Sequence, residues 1–154
     1  MSYSFRTYLG NRLNISFNPW DKQTDMEFTL RATLNAPAKE IYSAWISGEG
    51  HTNMTGGMAT NSGEIGGSFT AWDGYIEGKN LSLEPYTRIV QSWRTSQFDL
   101  GEPDSQIEVI LNEVDGQTEL TLIHSNIPES GEHYRQGWDE HYFQPMKDYF
   151  SKQS

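Results

Sequence analysis

Apolar and polar positions first alternate regularly from residue 25 onward. Met26, Phe28, Leu30, Ala32 and Leu34 interleave with Glu27, Thr29, Arg31 and Thr33, the period of a strand with one buried face. Asn35-Ala36-Pro37 then opens a helix with proline at its start, where Ile41, Ala44 and Trp45 form an apolar stripe that stops near Gly48. The glycine-rich run GEGHTNMTGGMATNSGEIGG, residues 48–67, reads as a short helix and a loop leading into a sheet. In SFTAWDGYIEGKNLSLEP, residues 68–85, Asp73-Gly74 is a two-residue hairpin signal that would set Trp72 and Tyr75 opposite each other. RIVQSWRTS (88–96), SQIEVILNEV (105–114) and TELTLIHSN (118–126) supply further strands. The last two join through Asp115-Gly116, and Leu120, Leu122 and His124 share a face.

Beyond Pro128 a long helix is predicted, with Glu129 and Glu132 near its positive end. Tyr134, Trp138, His141 or Tyr142, Pro145 or Met146, and Tyr149 then recur at helical spacing and line one face. Gly137 and Pro145 weaken that helix: Pro145 cannot donate to the His141 carbonyl, so a kink is predicted that lets the helix arch over a space. The element order is strand, helices, a run of antiparallel strands and one long helix, an α+β domain in which the helix covers the sheet. Residues 1–24 carry no sustained period and read as an irregular arm, leaving 25–154 as one domain.

Charge and composition narrow the partners. Eleven Lys and Arg against 21 Asp and Glu give a net charge of −10, which repels phosphate backbones and anionic lipid. Nucleic acid and membrane are therefore excluded as expected partners, and no apolar stretch approaches membrane-spanning length. The first twenty residues show neither a continuous apolar h-region nor a small-residue cleavage site, so the expected compartment is cytoplasmic. Without cysteine there are no disulfides, thiolate metal sites or cysteine nucleophiles. The glycine-rich run lacks the Gly-Lys-Ser/Thr ending of a phosphate-binding loop, and the histidines show no His-x3-His or His-Glu-x-x-His spacing. No metal and no cofactor are expected. Eight Tyr, seven Phe and five Trp in a chain only 35% hydrophobic mean that aromatic rings carry much of the buried area.

Taken together, GGSFTAWDGYIEGKNLSLEP, IVQSWRTS, the Asp115-Gly116 hairpin followed by LTLIHSNIP, and YRQGWDEHYFQPMKDYF resemble the single-domain homologues of the activator of heat-shock protein 90 ATPase. That family belongs to the START-like (SRPBCC, birch-pollen-allergen-like) superfamily, and the resemblance covers about residues 25–150. It implies a helix-grip fold, a curved antiparallel sheet wrapped around the C-terminal helix with a hydrophobic cavity between them. Superfamily relatives use such cavities to carry lipids, hormones or aromatic polyketides, and some catalyse cyclisation there. No shared catalytic residue comes with the family, so none is assigned.

For a cavity of this kind the wall candidates are Trp45, Phe69, Trp72, Tyr75, Trp93, Tyr134, Trp138, Tyr142 and Met146. The polar candidates are Gln91 and His124, with His141 at a rim and Glu77 outside the main set. His124 has two readings, a donor or acceptor facing a ligand or a core histidine satisfied by a nearby backbone group. Three functions compete: binding of a small apolar or aromatic ligand, a cyclase or isomerase using the same cavity, and a stress-response module that acts on a chaperone ATPase. Because the arm lacks periodic apolar residues, a chain without residues 1–20 should retain one cooperative thermal transition by circular dichroism. Loss of cooperativity would show that the arm belongs to the folding unit.

Overall fold

The alternating segments pair into one sheet. A computed structural model describes residues 26–151, so the predicted arm lies outside the described residues. The strands are β1 (Met26–Leu34), β2 (Thr60–Asn61), β3 (Ser68–Ala71), β4 (Ile76–Glu84), β5 (Arg88–Thr95), β6 (Ser105–Val114) and β7 (Gln117–Ile127). All neighbours are antiparallel, in the order β1-β7-β6-β5-β4-β3-β2. Between β1 and β2 the chain crosses from one sheet edge to the other through α1 (Ala38–Trp45) and α2 (Gly48–Thr55). Register breaks between Met26 and Phe28 and between Asn80 and Ser82 add the local bends that let a sheet curve around a helix.

Local chemistry sets the helix ends. Ser47 Oγ accepts from Gly50 N–H at 3.1 Å to start α2, and Gly56, with φ 92°, ends it in the left-handed conformation that glycine adopts without strain. Pro37 caps α1, and the free Ala38 N–H donates to Glu113 Oε1 at 2.8 Å, tying the helix start to β6.

Both hairpin signals form two-residue turns. At Asp115-Gly116, φ of 54° and 81° and pairing of Val114 with Gln117 make a two-residue turn, as predicted. At Asp73-Gly74, φ of 61° and 86° and donation from Tyr75 N–H to Trp72 O at 3.1 Å also make a two-residue turn with Trp72 and Tyr75 on either side of it, although ladder pairing stops one step earlier, at Ala71 and Ile76. Trp72, Asp73 and Gly74 all have positive φ (51°, 61° and 86°). Trp72 is drawn out of the strand to pack on Gly57, where a Cβ would lie 2.4 Å from the indole, and Asp73 N–H donates to Met58 O at 2.9 Å. The dipeptide keeps its turn, and packing draws only Trp72 out of the ladder.

After a 3-10 turn at Glu129–Gly131, the C-terminal helix runs as α3 (Tyr134–Trp138), a π turn (Asp139–Phe143) and α4 (Gln144–Ser151). Its inner face and the sheet share one core containing Phe28, Leu120, Leu122, Trp138, Tyr142 and Met146, with Met26 and Leu30 packed on its edge. No described helix is long and apolar enough to cross a membrane.

The predicted distortion near Pro145 takes another form from a kink in a regular helix. Gln144 N–H reaches back five residues to Asp139 O, and Pro145 follows as the second residue of α4. In a regular helix the proline ring would strike the carbonyl four residues earlier, and the wider turn relieves that clash. Pro145→Ala removes the steric cause and adds a donor. Its melting temperature should be unchanged or higher, with an intrinsic helix gain of up to about 3 kcal/mol before repacking losses; a clearly lower value in thermal denaturation would show that the π turn is needed for packing.

Candidate functional site

Three aromatic residues of the C-terminal helix carry a polar atom into the interior, and each meets a different element. Trp138 Nε1–H donates to His124 Nδ1 at 3.0 Å. An indole nitrogen can only donate, so Nδ1 carries no proton and His124 Nε2–H donates to Ser105 Oγ at 2.9 Å. The serine hydroxyl then donates to Trp93 O at 2.7 Å. The relay is complete, fully buried and neutral, and burial pushes His124 down to about 3.

Tyr142 is held in a parallel way by α2. His51 Nδ1–H donates to Trp45 O at 2.9 Å, so Nε2 accepts from the Tyr142 hydroxyl at 2.7 Å. Burial lowers His51 to about 4, with the Trp45 carbonyl opposing, and raises Tyr142 above the ordinary tyrosine value. Tyr134 shares a short hydrogen bond with Thr95 of β5, and burial pushes it up to about 12 despite that bond. Trp45 completes the set: Nε1–H donates to Gln91 Oε1 at 3.1 Å, and Gln91 Nε2–H to Asn80 Oδ1 at 2.9 Å.

In front of these paired tips lies a cavity of about 280 Å³, near the small end of ligand sites. The β3–β4 loop and the start of β4 supply Trp72, Tyr75 and Ile76, β5 supplies Trp93, and the helix supplies Tyr134, Gly137, Trp138, His141 and Tyr142. The rings interlock: Trp93 lies 5.7 Å from Trp138 and 5.0 Å from Tyr134, and Trp138 4.6 Å from Tyr142. At the rim the exposed His141 ring meets Trp72 edge-on at 5.4 Å. A Cβ added to Gly137 would meet no atom within 4 Å, so the missing side chain is part of the space. Trp72 Nε1 is buried without a hydrogen-bond partner among the described residues.

The structure brings together Trp72, Tyr75, Trp93, Tyr134, Trp138 and Tyr142 from the predicted set as cavity walls. Trp45, Phe69, Gln91, His124 and Met146 do not line it; they are buried in the core around it. His124 is a satisfied core histidine, but its partners are two side chains and not the expected backbone group: a helix indole and a β6 hydroxyl, nineteen residues away for the latter, occupy both its nitrogens. Glu77 is exposed and paired in register with Arg94, and no three His, Asp or Glu side chains among the described residues cluster as metal ligands would. Sequence reasoning missed His51 and Ile76. His51 stands in the glycine-rich run, and its partner Tyr142 is 91 residues away, so no local period marks it.

A family model described as Activator of Hsp90 ATPase homolog 1-like protein matches residues 35–151. The chain is 30% identical over 125 residues to the Activator of 90 kDa heat shock protein ATPase homolog 1 of Homo sapiens, covering 80% of this chain and 37% of that protein. It therefore spans little more than a third of this curated relative. CalU16 from Micromonospora echinospora superposes with a TM-score of 0.67 at 26% identity, covering 82% of this chain and 77% of that one. An HSP90 activator from Plasmodium falciparum gives a TM-score of 0.67 at 22% identity, covering 77% and 91%, a likeness of fold.

The two buried histidines make stability depend on pH. Both are neutral in the fold, with values near 4 and 3 against about 6.5 when unfolded, so the unfolded chain binds more protons between those limits. Their contribution is intact above pH 6.5 or so and is lost as pH falls toward the folded values, at about 1.4 kcal/mol per pH unit for each histidine. Urea denaturation from pH 7 to 4.5 should show this slope, and His51→Gln should reduce it by about one proton. An unchanged slope would mean that His51 is already charged in the fold.

Proposed function

The chain belongs to the Activator of Hsp90 ATPase homolog 1-like family, and from that premise we propose that it binds a small apolar or aromatic molecule in the cavity between its sheet and its C-terminal helix. The observation that carries this reading is the unfilled space at Gly137. Gly137 is partly exposed and lines the cavity, and a glycine inside a helix costs about 1 kcal/mol relative to alanine. Here that cost accompanies a cavity walled by six aromatic rings, while the polar tips of Tyr134, Trp138 and Tyr142 are already engaged. Such walls suit planar or aliphatic surfaces and leave few polar atoms for orienting a ligand.

The same observation weighs against turnover. His51 and His124 have both ring nitrogens occupied, so acid–base chemistry would fall to His141 at the rim or to tyrosine hydroxyls. A second reading is action on a chaperone ATPase, favoured by the likeness to the human activator. It would use an exposed contact surface and not the cavity.

Native mass spectrometry of the freshly purified protein, searched for a co-purifying small molecule, tests the first reading directly. Gly137→Leu should fill the mouth and weaken binding of a fluorescent apolar probe about tenfold or more, with melting temperature maintained because leucine is the better helix former. Undiminished probe binding would move the site elsewhere. ATPase stimulation that persists in Gly137→Leu would support the chaperone reading.

A further inference from the structure

The charges around the cavity select among the molecules that could enter it. Resting on the cavity-binding reading above, we propose that the ligand is an organic cation, an ammonium group carrying apolar or aromatic substituents. Aromatic rings present a negative π face, and a cation lying against several of them is held without any ion pair. Trp72, Tyr75, Trp93, Tyr134, Trp138 and Tyr142 all contribute to the wall. Because Trp72 Nε1 is buried, what this residue offers the space is carbon and not a donor aimed at an anion.

No lysine or arginine lines the cavity. Arg94 of β5 and Arg135 of α3, on two of the elements that form the walls, are turned to Asp104 and Glu132. Exposed carboxylates sit beside wall residues in the chain: Asp73 follows Trp72 in the β3–β4 loop, and Asp139 and Glu140 follow Trp138 on the helix, where they accept from Gln144 and Gln136 at 3.2 and 2.7 Å. Around them the whole chain carries −10. A cleft with low-dielectric walls focuses such a field, drawing cations toward the mouth and repelling carboxylates and phosphates. An anionic ligand would enter against the field with no lysine or arginine on the walls to meet it. A neutral ligand would gain the apolar walls alone.

Three probes that share one naphthylmethyl group separate these cases: (1-naphthylmethyl)trimethylammonium, its neutral isostere 1-neopentylnaphthalene, and the anion 1-naphthaleneacetate. Binding is read by quenching of tryptophan fluorescence at pH 8, at low and high salt. The cation should bind about tenfold tighter than the neutral isostere at low salt, the anion weakest, with the preference shrinking as salt rises. Trp72→Leu, which keeps apolar bulk but removes the π face, and Asp73→Asn, which suits the left-handed turn, should each cut the cation-to-neutral ratio by more than half. Thermal melts confirm that each variant is folded. A neutral isostere bound as tightly as the cation, or an anion bound most tightly, overturns the charge inference and leaves the cavity reading standing. If none of the three binds, both fall.

Discussion

A buried indole or phenol takes a polar tip into the core, and leaving one unpaired there costs about 1–3 kcal/mol. The C-terminal helix does this three times, and each tip is met from a different part of the fold. Trp138 finds His124 on β7, Tyr142 finds His51 on α2, and Tyr134 finds Thr95 on β5. Hydrogen bonds are directional where apolar contact is not. These three therefore set the rotation and depth of the helix over the sheet, which packing of apolar surface alone would leave loosely specified. The partners are held in turn, His124 by Ser105 and His51 by the Trp45 carbonyl.

The cavity follows from this arrangement. With the tips committed inward, aromatic side chains line the space beside them, and Gly137 leaves part of it unfilled. Gly137 supplies no side chain, and the π turn at Asp139–Phe143 alters the helical spacing between Trp138 and Pro145. Trp72 closes the far side from a loop with three consecutive positive φ values, a costly backbone that its packing on Gly57 holds in place. Polar capacity has been spent on architecture, so the open surface is aromatic carbon. That division links core packing to the binding chemistry proposed for the site.

Much of the fold was legible because it depends on local period. The alternation of Met26 to Leu34, the Asp115-Gly116 turn and the spacing of Tyr134, Trp138 and Tyr142 each express geometry over a few residues, and the pairing of Phe28 with His124 and of Leu30 with Leu122 honours them. The site was legible only as a stripe. Six of its predicted residues face the cavity, while Trp45, Phe69, Gln91, His124 and Met146 share the same apolar patterning yet lie in solid core. Period shows that a side chain points inward; it does not show whether another side chain fills the space ahead of it.

From its residues alone, this chain determines its strands, its helix faces, its negative charge and the aromatic content of its interior, because propensity, period and charge act within short stretches or over the whole composition. Tertiary structure decided the rest. It chose which nitrogen of His124 and of His51 carries the proton, drew Trp72 out of its strand, and converted the predicted kink near Pro145 into a π turn. The two tautomers and the placement of Trp72 rest on groups far apart in the chain, up to 91 residues for Tyr142 and His51, meeting in a medium where an unpaired donor is expensive. Such costs exist only once the elements have packed, so no local pattern can announce them.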